Sequence, residues 1–189
     1  YYSRFNGGLF STISYLLLYF AYVSNMNKEK VVKSLYFLFY SSVVVSLIAC
    51  LEHFGINITC GLMGQGLSSC WIQDVQNRVF GTLGQPNWLA TWLVAIIPLT
   101  LYQIIDSKSI KRILFYLLSL LLFATLLFTK SRSALLGFIA ADLMFWVFAF
   151  YLKRKSIFVP LIISNLLFVF LFLIVSTPWN PAKIISQEK

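Results

Sequence analysis

Two short polar stretches, each carrying an arginine, interrupt a chain that is otherwise apolar. The first is Asn77-Arg78-Val79-Phe80-Gly81-Thr82-Leu83-Gly84-Gln85-Pro86-Asn87, and the second is Thr129-Lys130-Ser131-Arg132-Ser133. A guanidinium presents a planar fork of donors that matches phosphate, and it is costly to hold near a bilayer. Gly81 and Gly84 permit tight backbone turns. Pro86 sets the chain direction behind them, and Asn87 stands where it would cap a following helix. The segment reads as an interfacial or re-entrant turn that presents Arg78 beside a helix N-terminus, a place that favours anions. Arg132, flanked by Ser131 and Ser133, opens a later apolar segment in the same way. Together these residues suit a diphosphate. Basic residues at helix starts also anchor to lipid headgroups with no chemistry at all, and the residues alone leave both readings open.

The remaining chemistry-bearing groups are few. Glu52 and His53 form an adjacent pair at the end of an apolar run, fit for acid–base work or simply for ending a helix at an interface. The chain has a single histidine and no CxxC spacing, so no metal site is expected. Cys60 and Cys70 flank a glycine-rich stretch. On an oxidising side they would pair and contribute roughly 2–3 kcal/mol. Cys50 falls inside an apolar run and reads as a small apolar residue. Asp142 is an acid within another such run, roughly 15 Å along a helix from Arg132. It would relay protons or take a structural partner in a bundle.

The elements that must position these groups follow from composition. The chain has 189 residues, 59% hydrophobic and 11% charged, whereas soluble domains carry about a quarter charged residues. This is the composition of a polytopic membrane protein. The net charge is +9, but the basic residues lie in clusters between apolar runs, so they report topology and no nucleic-acid partner is expected. Apolar segments near the roughly 20 residues that cross a bilayer run over 8–24, 34–51, 87–105, 113–128, 133–152 and 157–176. They are continuously apolar, not alternating, which predicts an all-α transmembrane bundle of about six spans. A long outer loop covers 52–86, and 177–189 begins a further outer loop. The chain opens on Tyr1 and closes on Lys189 in the manner of a fragment of a longer protein. Pro98 predicts a kink or a free carbonyl in the third span. The short break at 129–133 predicts that spans four and five pack as a hairpin.

Charge alternates along the connections. Loops 25–33, 106–112 and 153–156 hold Lys28, Lys30 and Lys33, then Lys108, Lys111 and Arg112, then Lys153, Arg154 and Lys155. The positive-inside rule makes these loops cytoplasmic. Arg78 and Arg132 then share the outer side. Arg132 stands about 21 residues from Lys153, roughly 31 Å of helix, which matches a hydrocarbon core. Trp88, Trp92 and Tyr151 suit an interfacial aromatic belt, with lining a lipid or sugar site as the alternative for the two tryptophans.

One resemblance adds to this reading. The order Arg78-Val-Phe-Gly81-Thr82-Leu-Gly84-Gln-Pro86-Asn87-Trp-Leu89-Ala90, an apolar span with Pro98, and then Thr129-Lys-Ser131-Arg132-Ser-Ala134-Leu135-Leu136-Gly137 resembles the O-antigen ligase and polymerase superfamily. Members show a GT-x-G-N-P-N turn and a T-x-SRG turn at this separation. Gln85 stands here for the usual Asn before proline, and Ser133 for the usual Gly after arginine. The resemblance covers Arg78 to Ser176. It implies a GT-C-like glycosyltransferase of the bacterial inner membrane, with no metal and no cofactor. Such an enzyme takes an undecaprenyl-diphosphate-linked glycan and transfers it, at the outer face, to a glycolipid, glycan or protein acceptor. Arg78 and Arg132 would bind the diphosphate, with Lys130 weaker, and Gly81, Gly84, Asn87 and Ser131 would shape the turns. The family's catalytic His lies in a large outer loop that would come beyond Lys189, and His53 is not at that position. The rival reading is a transporter or flippase for a lipid-linked or anionic substrate, with Asp142 and Pro98 on its pathway. Transporters usually show repeats, and these spans do not pair into similar halves. A structural membrane subunit is a third reading.

Overall fold

Long apolar runs become helices because a helix pairs its internal backbone groups within itself. The computed structural model describes residues 8–62, 64, 74–152 and 155–176, and among them it contains helices and no strand. The helices are α1 (Leu9–Asn25), α2 (Lys28–His53), α3 (Ile58–Leu62), α4 (Pro86–Asp106), α5 (Ser109–Phe128), α6 (Arg132–Leu152) and α7 (Lys155–Ser176), with one 3-10 turn at Gly81–Leu83 before α4. Five of them, α2 and α4 to α7, are long and apolar enough to cross a membrane. The first expected span corresponds to α1, which is apolar but only 17 residues long. Cys70, positions 153–154 of the loop expected at 153–156, and residues 177–189 lie outside the described residues.

The chain divides within α2, into residues 1–40 and 41–189. In the first unit α2 starts at Lys28, six positions before the expected 34. Asn27 is the reason. Its side-chain oxygen accepts from the Lys30 N–H at 3.0 Å, an N-cap. Glu29 and Lys33 then pair one turn apart at 2.9 Å. A helix can run past the hydrocarbon on polar residues, so the loop expected at 25–33 shrinks to Met26 and Asn27. The loop expected at 106–112 likewise shrinks to Ser107 and Lys108, with the Arg112 Nε donating to the Ser107 carbonyl at 2.9 Å.

In the second unit α4 is the central helix. Leu89, Leu93, Ile96, Ile97, Thr100, Leu101 and Ile104 are buried along it at helical spacing. It packs against α5, α6 and α7. The hairpin expected of spans four and five is corrected here. A tight turn joins α5 to α6, but α6 packs chiefly on α4, while α5 packs on α4 and α7. Gly137 lies at this interface: a Cβ there would stand 3.7 Å from Val94 of α4, in ordinary contact, and a larger side chain would meet it. Phe123 of α5, Phe138 of α6 and Phe168 of α7 meet with ring centroids 4.7 to 5.5 Å apart. α4 continues through Pro98 without a break. Leu117, Leu136, Leu143, Phe148, Leu166 and Phe170 are exposed. That surface would drive association in water and is what a bilayer solvates.

Candidate functional site

The turn from Asp74 to Pro86 is built from local bonds. The Asp74 carboxylate accepts from the Asn77 N–H at 3.1 Å, and its carbonyl accepts from the Arg78 N–H at 3.2 Å. Gly81 and Gly84 lie at φ +56 and +76, the left-handed region where a Cβ is strained. Pro86 is the first residue of α4, where its missing N–H costs nothing. The expected cap at Asn87 is corrected, because Gln85 holds the N-cap position and makes no side-chain cap bond. Pro86 at the first helical position moves Asn87 inside the first turn, and its side chain faces Arg78 instead.

The second turn is capped. The Ser131 Oγ accepts from the Ala134 N–H at 3.4 Å, and Lys130 takes φ +50 to reverse the chain in so few residues. Thr129 is buried, with its hydroxyl on the Leu126 carbonyl at 2.7 Å.

These two turns meet. The Arg78 Nε donates to the Thr129 carbonyl at 3.3 Å, and its Nη2 donates to the Asn87 Oδ1 at 3.4 Å. The Lys130 ammonium hydrogen-bonds the Asn77 Oδ1. The Val79 N–H donates to the Phe128 carbonyl at 3.4 Å. The last carbonyls of α5 lack intrahelical donors and carry the negative end of its dipole. They hold Arg78 and Val79 in place. The N-termini of α4 and α6, with their positive ends, lie at the same end of this unit. Three cations therefore gather where the helix dipoles already favour an anion.

Among the described residues no carboxylate pairs with Arg78, Lys130 or Arg132. Arg132 is exposed, and among the described residues its guanidinium has no hydrogen-bonding partner. A groove of about 350 Å³ lies beside it, lined by Lys130, Ser131 and Arg132 and by Leu126, Leu135, Phe172 and Val175. A second groove of about 300 Å³ shares Leu135 and Phe172 and reaches Asp142 and Asn165. The arrangement sets cationic groups beside an apolar groove.

Other expected residues fall elsewhere. Asp142 accepts from the Asn165 side chain of α7 at 3.4 Å, a partner inside the bundle. Cys60 is buried and disulfide-bonded, and Cys50 is a free thiol whose sulfur lies 3.6 Å from the Thr125 hydroxyl. Trp88 is exposed in the first turn of α4 and fits an interfacial belt. No cluster of three or more His, Cys, Asp or Glu that could hold a metal occurs among the described residues.

Sequence reasoning gave Glu52 and His53 no place in this site, yet both bind the Arg78 turn. The Glu52 carboxylate is fully buried and accepts from the Gly81 N–H at 2.8 Å. The His53 Nδ1 donates to the Gln76 carbonyl at 2.9 Å, since a carbonyl can only accept. The His53 ring stacks on Phe128 with centroids 4.0 Å apart. The signal was an acid and an imidazole ending an apolar helix, followed by a chain long enough to fold back on them.

No protein-family model, curated protein or solved structure matches the chain. Fold and composition define its class, a multi-pass helical membrane protein, and the cluster at one end of the bundle is its outstanding chemical feature.

Proposed function

We propose that this protein is a GT-C-like glycan transferase of the O-antigen ligase and polymerase kind, acting at the outer face of a bacterial inner membrane. The observation that carries the proposal is the gathering of Arg78, Lys130 and Arg132, without a carboxylate partner among the described residues, beside an apolar groove. The substrate is a glycan linked to a polyprenyl diphosphate such as undecaprenyl diphosphate. Its diphosphate lies on the cations, and its lipid runs along the groove toward α7. The acceptor is a glycolipid, a glycan or a protein.

In the reaction an acceptor hydroxyl oxygen bonds to the anomeric carbon as the bond from that carbon to the phosphate oxygen breaks. The electron pair leaves with the diphosphate, whose negative charge grows. Arg132, without a competing partner, and Arg78, already oriented by Thr129 and Asn87, stabilise that charge more in the transition state than in the ground state. A general base elsewhere in the protein takes the hydroxyl proton.

The test is transfer in membranes supplied with undecaprenyl-diphosphate-linked glycan and acceptor. Arg78→Ala and Arg132→Ala are each expected to abolish transfer while expression and membrane insertion persist. Full transfer by the Arg132→Ala protein would sink the proposal. Movement of the lipid-linked glycan across the bilayer, with no new glycosidic bond, would replace it with a transporter.

A further inference from the structure

Arg78 sits between two anchor points that belong to the end of α2. On one side the Gln76 carbonyl accepts from the His53 Nδ1 at 2.9 Å, and on the other the Gly81 N–H donates to the Glu52 carboxylate at 2.8 Å. Nothing in the local sequence of the turn supplies these bonds. Gly81 opens the 3-10 turn at φ +56, so its N–H has no partner within that turn, and an unpaired buried N–H is costly. Glu52 is fully buried, a position carboxylates rarely take without a dedicated partner. A Cβ on Gly81 would stand 3.5 Å from the Ala49 Cβ, so the turn lies directly on α2. His53 fixes the other end through its Gln76 bond and through its stack on Phe128, the residue next to Thr129, which holds the Arg78 guanidinium.

We infer that Glu52 and His53 are positioning residues that clamp the 76–81 segment at both ends and so set the Arg78 guanidinium beside the Lys130–Arg132 turn for a diphosphate. This inference rests on the anion-site reading above. It adds that the site is assembled by α2, a helix that contributes no group to the anion itself. Neither side chain touches substrate in this account. Both act through Arg78.

The experiment uses the purified full protein in lipid nanodiscs, with two readouts. The first is hydrogen–deuterium exchange of the peptide spanning 76–84. Glu52→Leu combined with His53→Phe removes both bonds while leaving an aromatic ring to stack on Phe128, and it should release the protection of that peptide. Glu52→Gln keeps an acceptor oxygen for the Gly81 N–H and should hold most of the protection. The second is affinity for undecaprenyl diphosphate. The Glu52→Leu/His53→Phe protein should bind at least about tenfold more weakly, the scale of one lost charge-assisted bond, and Glu52→Gln should stay within about threefold. Adding Glu52→Leu to Arg78→Ala should cost nothing further, because Glu52 acts only through Arg78. An additive loss would assign Glu52 a general structural role and overturn the inference, as would unchanged exchange in the double variant. Full affinity in Arg78→Ala would instead defeat the anion-site reading, while the exchange data would still decide the clamp.

Discussion

Arg78 and Arg132 are the same residue type in two different states of preparation. Arg78 is held by the Thr129 carbonyl and the Asn87 amide, whereas the Arg132 guanidinium is exposed and unpaired among the described residues. Lysine in place of Arg78 could not hold both partners and still present a donor fork, so under the proposed transfer reaction Arg78→Lys should lower the rate by about tenfold or more. Rates of formation of the new glycosidic bond measure this, and wild-type rates would show that the fork is not used. Arg132→Lys keeps the charge without the bidentate geometry and should be rescued only in part. Both arginines stood out in the sequence because guanidinium groups are rare in apolar chains. Asn87 was equally visible, but its role was not. Its side chain turned from an expected cap to the Arg78 guanidinium because Pro86 occupies the first helical position. Glu52 and His53 looked like a helix end, and only the fold of the 76–81 segment over α2 gave them partners.

The helices themselves were legible from hydropathy, with ends that moved outward where polar residues favour helix. Their neighbours were not legible, because chain proximity at 129–131 suggested a hairpin and packing chose α4 instead. Gly137 faces Val94 at that contact, with room for little more than a Cβ. Between membrane helices the driving force is close packing, since lipid tails are as apolar as the side chains. Gly137→Leu should therefore push α6 off α4 and destabilise the protein by about 1–3 kcal/mol. Thermal unfolding in detergent reads this, and an unshifted midpoint would contradict the packing account. The disulfide at Cys60 belongs to the same scale. Cys60→Ser should cost about 2–3 kcal/mol, and reductant should lower the midpoint of the wild-type protein but not of the variant.

At the scale of the whole molecule, contacts among the α2 end, the 76–81 segment, the start of α4 and the α5–α6 turn bring these ends together. Lys108, in the α4–α5 connection, lies a helix length away. Lys130→Cys and Lys108→Cys proteins should therefore label with a membrane-impermeant maleimide from opposite sides of the bilayer, the former from outside. Labelling from one side would remove the shared outer site. By itself, the sequence determined that the chain is helical, apolar enough for a membrane, and marked by two arginine turns, because hydropathy, proline, glycine and charge act over a few neighbouring residues. The tertiary structure alone decided that α4 is the central helix, that the carbonyl end of α5 seats Arg78, and that Glu52 and His53 grip its turn. Those outcomes depend on which backbone donors and acceptors are left unpaired when the helices pack, and their partners lie from about twenty to about fifty residues away in the chain.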